Sequence, residues 1–168
     1  MEGVLILVAF FSVVALWMWL RDKLWAGATR AVFSGSHKKG QTATHSTAHF
    51  RAPVDKQQFL SALVSYLNLP TEAPAVIAGL HVHKVDLDEG LVVFVTGNKW
   101  SEAMRLGVVA WPEGEGWEAG CKGEATVLNW TEADGLVTAT KEMERIFHGI
   151  DATVQHFQGS VEYTHDPG

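Results

Sequence analysis

An uninterrupted apolar segment near the N-terminus constrains this chain more than any other feature. From Gly3 to Leu20 the one polar residue is Ser12. As a helix, eighteen residues would extend about 27 Å, close to the roughly 30 Å hydrocarbon core of a bilayer. Eleven of these residues are Val, Leu, Ile or Phe, which together would favour insertion by about 3 to 7 kcal/mol. The segment predicts a single transmembrane helix, with residues 1–24 as the anchor and residues 3–20 in contact with lipid.

Three other interpretations of this segment fit it less well than a membrane anchor. A cleaved signal peptide normally has a basic start, whereas this chain begins Met-Glu-Gly, although residues 26–28 (Ala-Gly-Ala) resemble a cleavage site. A buried core helix or an interfacial helix needs a polar face, and this segment is apolar all round. We therefore expect a permanent membrane anchor.

The charges after the apolar segment predict its orientation. Residues 21–51 carry six basic side chains and one acid, a net charge of +5, whereas residues 52–168 carry seven basic and seventeen acidic side chains, a net charge of −10. The positive-inside rule then places the N-terminus outside the cell and the C-terminal domain in the cytoplasm. A domain with a net charge of −10 is not expected to bind nucleic acid.

We expect residues 25–49 to be a flexible linker over the membrane. The basic residues predicted to contact lipid headgroups are Arg21, Lys23, Arg30, Lys38 and Lys39.

Residues 50–158 have the pattern of an α+β domain. Asp55, with Gln58 three residues later, resembles a capping box, and an apolar stripe on one helical face follows as far as Leu67. Asn68 and Pro70 should end that helix. Strands are then predicted over residues 80–85, 91–96, 102–111 and 117–130, with turns rich in Gly, Asp and Asn between them.

The last predicted element of the domain is a long helix. Thr131 is predicted to be its N-cap, and apolar residues recur every three or four positions from Leu136 to Phe157, with a break at Gly149 left open. The predicted fold is therefore a four- or five-stranded antiparallel sheet packed on one face by a short helix and a long C-terminal helix. Residues 159–168 are expected to be a tail. Gly123, on the inner face of its strand, is expected to let the last helix approach the sheet closely.

Few residues suggest catalysis. A single cysteine, Cys121, excludes an intrachain disulfide framework. His81 and His83, two residues apart on a strand, could both reach one metal ion, but the sequence names no third ligand, and histidines on the hydrated face of a sheet are the alternative. No catalytic residue, metal or cofactor is therefore expected.

Exposed apolar residues are the predicted functional feature. The last helix is long enough to project past the sheet, which would leave its distal residues uncovered, and tryptophans at strand ends either close the core or dock a partner. The residues predicted to contact a protein partner or a second copy of the chain are Ile150, Val154, Phe157, Trp111 and Trp117.

The order of the elements also resembles a known family. An extended entry at Phe50-Arg51-Ala52-Pro53, a helix, an antiparallel meander and a long last helix are similar to the START-like, polyketide-cyclase-like (helix-grip) domains. That resemblance implies a hydrophobic ligand held between the sheet and the long helix. Our first expectation is a non-enzymatic interaction or accessory module of a membrane complex. The alternative is a membrane-tethered binder of lipid or another hydrophobic ligand.

Overall fold

The computed structural model describes residues 43–114, 120–133 and 136–165. They form a six-stranded antiparallel sheet and, beside it, a two-stranded hairpin and two helices. In chain order the elements are β1 (Ser46–Ala52), α1 (Lys56–Leu67), β2 (Gly79–Asp86), β3 (Leu91–Gly97), β4 (Glu102–Glu113), β5 (Gly120–Trp130), β6 (Glu132–Ala133), β7 (Leu136–Val137), α2 (Thr140–His156) and β8 (Ser160–His165). The order in the large sheet is β2-β3-β4-β5-β1-β8, so the first strand lies between the fifth and the eighth.

The first helix forms as its sequence predicts. The Asp55 side chain caps it by accepting hydrogen bonds from the backbone N–H groups of Gln57 and Gln58, both at 2.9 Å. Asn68 ends it in the left-handed conformation, which asparagine tolerates better than most residues. The apolar stripe of α1 faces the sheet and is buried.

Both helices cover the same face of the sheet, here called the inner face. Phe50 on β1 stacks on Phe59 of α1 with 4.5 Å between ring centroids. Leu63, Met143 and Ile150 are fully buried in the same cluster as the inner residues of the strands. The α+β class and the antiparallel sheet with a helical layer are thus confirmed, although the sheet has six strands and not four or five.

The C-terminal helix begins later than predicted. It starts at Thr140. Ala139 occupies the N-cap position, and no side chain caps the helix. Thr131 instead joins the chain to β4: its N–H donates to the Ala103 carbonyl at 2.9 Å, and its hydroxyl lies 3.0 Å from that of Thr138. Residues 132–133 and 136–137 are the strands β6 and β7, which pair antiparallel. The apolar spacing around Leu136 therefore continued the helical period by coincidence.

Two glycines serve close packing, each in a way that the sequence did not indicate. Gly149 does not break α2; a β-carbon there would lie 2.7 Å from a methyl group of Leu67, so the glycine lets the two helices approach each other. Gly123 does admit a neighbour, but the neighbour is the Phe50 ring on the adjacent strand and not the last helix. An aromatic ring over a cross-strand glycine fills the missing volume.

The boundaries of the domain are wider than predicted. Residues 160–165, expected to lie in a tail, are the edge strand β8 and pair with β1. Residues 46–49, expected to be linker, belong to β1, and Ser46 and Ala48 are buried. β1 lies inside the sheet and β8 completes its edge, so both are part of the folded domain.

The predicted anchor falls outside the described residues. Residues 1–42 contain the apolar segment and all five predicted headgroup contacts, Arg21, Lys23, Arg30, Lys38 and Lys39. Within the described part of the chain, neither helix combines the length and the apolarity needed to cross a bilayer.

Candidate interaction surfaces

The distal half of α2 is not the exposed surface that its length suggested. Ile150 and Val154 have 0% and 1% of their surface exposed. Phe157 packs against the core, with its ring centroid 6.4 Å from that of Phe59. The prediction was wrong because α2 starts four residues later than Leu136, and because β1 and β8 extend the sheet beneath its C-terminal half. Ile150 and Val154 are core residues, and Phe157 is a partly buried residue packed against the core.

Trp111 lies on the opposite, outer face of the sheet and is half-buried. Trp117, the other predicted aromatic contact, lies outside the described residues. Near Trp111, a set of apolar side chains crosses β3, β4 and β5, with Leu128 lying over Gly107 where β4 has no side chain. We call this set the outer-face strip, and its members are Val93, Val95, Val109, Trp111 and Leu128. Val109 and Leu128 are exposed, while Val93 and Val95 are buried.

A polar concavity of about 400 Å³ adjoins Trp111 on the outer face. Opposite charges meet along it: Arg51 and Lys122 each approach the Glu113 carboxylate at 3.5 Å. Exposed pairs of this kind contribute less than about 1 kcal/mol to stability each. They leave the concavity with both signs of charge, which favours recognition of a polar, mixed-charge surface over that of a polyanion.

Three side chains beside the concavity, those of Glu124, His49 and Thr164, are arranged like the acid, histidine and hydroxyl of a hydrolytic triad. His49 Nδ1 lies 3.3 Å from the Glu124 carboxylate, and its Nε2 lies 3.0 Å from the Thr164 hydroxyl. The register of the sheet accounts for this order, because His49 and Glu124 are directly opposed on β1 and β5. His49 and Glu124 are each nearly half exposed, and water at such a site weakens the electrostatic activation that a nucleophile needs. We interpret the group as a cross-strand polar ladder.

His81 and His83 do not share the environment that a metal site needs. A β-bulge between Val82 and Lys84 interrupts the alternation on which that idea depended. His81 is buried, with Nδ1 3.1 Å from the Gly79 carbonyl oxygen, whereas His83 is exposed. Across the described ranges, no three His, Cys, Asp or Glu side chains are grouped to hold a metal ion. Burial raises the pKa of the Cys121 thiol to about 11, so it is a poor nucleophile.

A second exposed apolar group occupies two loops at one end of the sheet. Val76 and Ile77, in the loop before β2, are 79% and 82% exposed, and Trp100, in the loop between β3 and β4, is 88% exposed. We call these three residues the tip patch. The predicted strands leave Trp100 in a loop, and Val76 and Ile77 lie between the end of the first predicted helix and the first predicted strand. The lack of a helical or strand period at Val76 and Ile77 was the available signal.

The space between the sheet and the two helices is occupied by side chains. Phe59, Leu60 and Leu63 of α1 and Ile146 and Ile150 of α2 are all fully buried there. The concavity beside Trp111 opens on the outer face, and a second one, beside Tyr66 and Arg145, lies between the two helices near the exposed end of α1. A ligand between sheet and helix would have to displace core side chains.

No protein-family model matches the chain, and no curated protein matches its sequence.

Proposed function

We propose that the chain is a single-pass membrane protein whose α+β domain lies on the cytoplasmic side and serves as an interaction or accessory module of a membrane complex. The observation that carries the proposal is the apolar segment Gly3–Leu20, followed by six basic side chains within residues 21–51. The same segment contacts lipid, and the five basic residues Arg21, Lys23, Arg30, Lys38 and Lys39 face the headgroups.

The outer-face strip is the surface through which the domain contacts its protein partner. It offers a half-buried tryptophan and two exposed aliphatic side chains, Val109 and Leu128, beside a rim of paired charges. An apolar centre with a polar rim is the usual composition of a protein interface. The partner is a protein subunit or a second copy of this chain.

A fusion experiment tests the membrane part of the proposal. A reporter that is active only in the cytoplasm, joined after Gly168, should be active, and the full chain should stay in the membrane pellet after a carbonate wash. The detected N-terminus should be at or near Met1. Reporter activity confined to the outer compartment, or a mature N-terminus near Thr29, would overturn the proposal.

Crosslinking tests the interaction part. A photoreactive amino acid at Leu128 or Val109 of the full chain should give one discrete adduct in native membranes, whereas the same probe at exposed Glu144 on α2 should not. Equal labelling at all three positions would mean that the outer face has no specific partner.

The alternative function, a membrane-tethered binder of lipid or another hydrophobic ligand of the helix-grip type, has less support. It rests on the resemblance of the element order, while the side chains between the sheet and α2 are closely packed. Saturable binding of a fluorescent fatty acid that protects the domain from heat would favour this alternative.

A further inference from the structure

The tip patch and the start of β1 lie at the same end of the sheet. β1 begins at Ser46, and its neighbour β5 ends at Trp130, which pairs with Met104 near the start of β4. The start of β4 pairs with the end of β3, and Gly97 pairs with Gly79 at the start of β2. The loops that carry Val76, Ile77 and Trp100 therefore leave the sheet at the end where the chain enters from residues 1–42.

Hydrogen bonds hold the two tip loops together. The Asn98 amide donates to the Val76 carbonyl at 2.9 Å, and the Lys99 N–H donates to the Pro74 carbonyl at 3.0 Å. The Asn98 side-chain oxygen in turn accepts from the Trp100 N–H at 2.9 Å. The apolar side chains are thus presented outward by an ordered backbone, and little further ordering would be needed for them to meet another surface.

The size of the tip patch favours a lipid surface over a protein. A stable protein interface takes about 20 to 30 residues from each side. The outer-face strip lies on a sheet face whose neighbouring residues can add to it, whereas this patch is three side chains on two adjacent loop tips. Aliphatic side chains and an indole suit the boundary between headgroups and acyl chains, where tryptophan is enriched. The charges next to the patch nearly balance, with Glu72 and Glu102 against Lys99 and Arg105, so an anionic leaflet would not repel it strongly.

The length of the preceding chain brings this end of the domain within reach of the bilayer. Twenty-two residues separate Leu20 from Ala43, and a flexible chain of that length has an end-to-end distance of about 25 Å. We propose that Val76, Ile77 and Trp100 insert into the interfacial layer of the same bilayer that holds the anchor. The inference rests on the proposed function and adds that the domain docks on the membrane by its tip, with the outer-face strip left free for a protein.

A fluorescent probe in the full chain tests the insertion. Ile77→Cys, labelled with an environment-sensitive dye and reconstituted in vesicles of neutral and anionic phospholipid, should show blue-shifted emission and several-fold quenching by a lipid with a shallow spin label. Val85→Cys is the matched control, because Val85 is an exposed aliphatic residue of β2 near the opposite end of the sheet. Cys121 is buried, so the unsubstituted chain should take up little dye. Adding Trp100→Ala and Val76→Ser to the labelled chain should reduce the quenching.

The outcomes separate this inference from the proposed function. If the labelled chain resists carbonate extraction but the probe at position 77 is as hydrated as the probe at position 85, tip insertion is overturned and the anchor stands. Blue-shifted emission without quenching by spin-labelled lipid would place a second copy of the chain on the patch, which also overturns it. Release of the chain by carbonate would overturn the anchor, and with it the premise of tip insertion.

Discussion

The C-terminal half of α2 and the tip loops are both rich in apolar residues, yet the first is buried and the second is exposed. Ile150 and Val154 fall on a helical period, whereas Val76, Ile77 and Trp100 fall on none. The periodic apolar stripe of α2 is buried within the domain, because β1 and β8 extend the sheet under this helix. Apolar residues in hydrogen-bonded loops have no such cover and are the better candidates for contacts outside the domain.

Charge substitution should give the largest difference in stability between these two regions. Val154→Asp places an unpaired carboxylate in the core and should cost more than about 3 kcal/mol, a large fraction of the roughly 5 to 15 kcal/mol that stabilises an ordinary domain. Ile77→Asp, on the exposed tip, should change the free energy of unfolding by less than about 0.5 kcal/mol. Thermal denaturation of the full chain in detergent, followed by near-ultraviolet circular dichroism, measures both. Equal losses would mean that the tip patch belongs to the core.

The close approach of the helices at Gly149 gives the next largest effect. Gly149→Ala gains up to about 1 kcal/mol of helix propensity, but its β-carbon would lie 2.7 Å from a Leu67 methyl group, and Leu67 is itself buried. Overpacking costs about 1 to 3 kcal/mol, so we expect a net loss of about 1 kcal/mol in chemical denaturation.

Leu67→Ala supplies the control for that substitution. Adding it to Gly149→Ala should destabilise less than the sum of the two single changes, because the truncated side chain makes room for the new methyl group. Strict additivity would show that the two residues do not meet, and that Gly149 has some other role in α2.

The two helix starts give a smaller difference. Asp55→Ala removes two hydrogen bonds to the first turn of α1 and should cost about 1 kcal/mol. Thr131→Ala should cost less than about 0.5 kcal/mol, because Thr131 caps no helix, its hydroxyl contacts to Thr138 and Ala103 are exposed to solvent, and its backbone bond to Ala103 remains. Urea denaturation of both variants distinguishes them, and a larger loss for Thr131→Ala would contradict the observed start of α2.

The sequence predicted those parts of the fold that local signals define. The Asp55 cap, the Asn68 stop and the hairpin between β2 and β3 follow from side chains near in sequence. The partners of β1 do not: its neighbours begin 74 residues later in β5 (Gly120 against Ser46) and at Ser160 in β8, and no local pattern encodes such pairings. With residues 159–168 predicted to be a tail, the predicted sheet was too narrow to cover the whole last helix. The distal residues of that helix were therefore expected to project past the sheet.

The candidate surfaces were predictable only in part. The sequence analysis named Trp111, which borders the outer-face concavity. The exposed position of Leu128 results from a register shift between β4 and β5, which no local sequence pattern indicates. The alternation of β3 was also hidden, because its run Leu-Val-Val-Phe-Val is apolar on both faces. A residue pattern gives the face of a strand, while pairing decides what covers that face.

The smallest expected effect concerns the end of the sheet that carries the tip patch. Glu102, two residues after Trp100, accepts two hydrogen bonds of 2.7 and 3.0 Å from the Arg105 guanidinium, which lowers the pKa of the carboxyl below its ordinary value of 4.5. The unfolded chain therefore takes up this proton first as the pH falls. The stabilisation is complete above about pH 4.5 and is lost as the pH drops through the lower, folded pKa. Both side chains are partly exposed, so the loss should stay below about 1 kcal/mol and shrink in high salt.

Glu102→Gln should remove this part of the acid dependence in urea titrations from about pH 6 to about pH 3, whereas Glu144→Gln on the exposed face of α2 should leave it in place. If the acid dependence survives Glu102→Gln, the pair does not stabilise the start of β4.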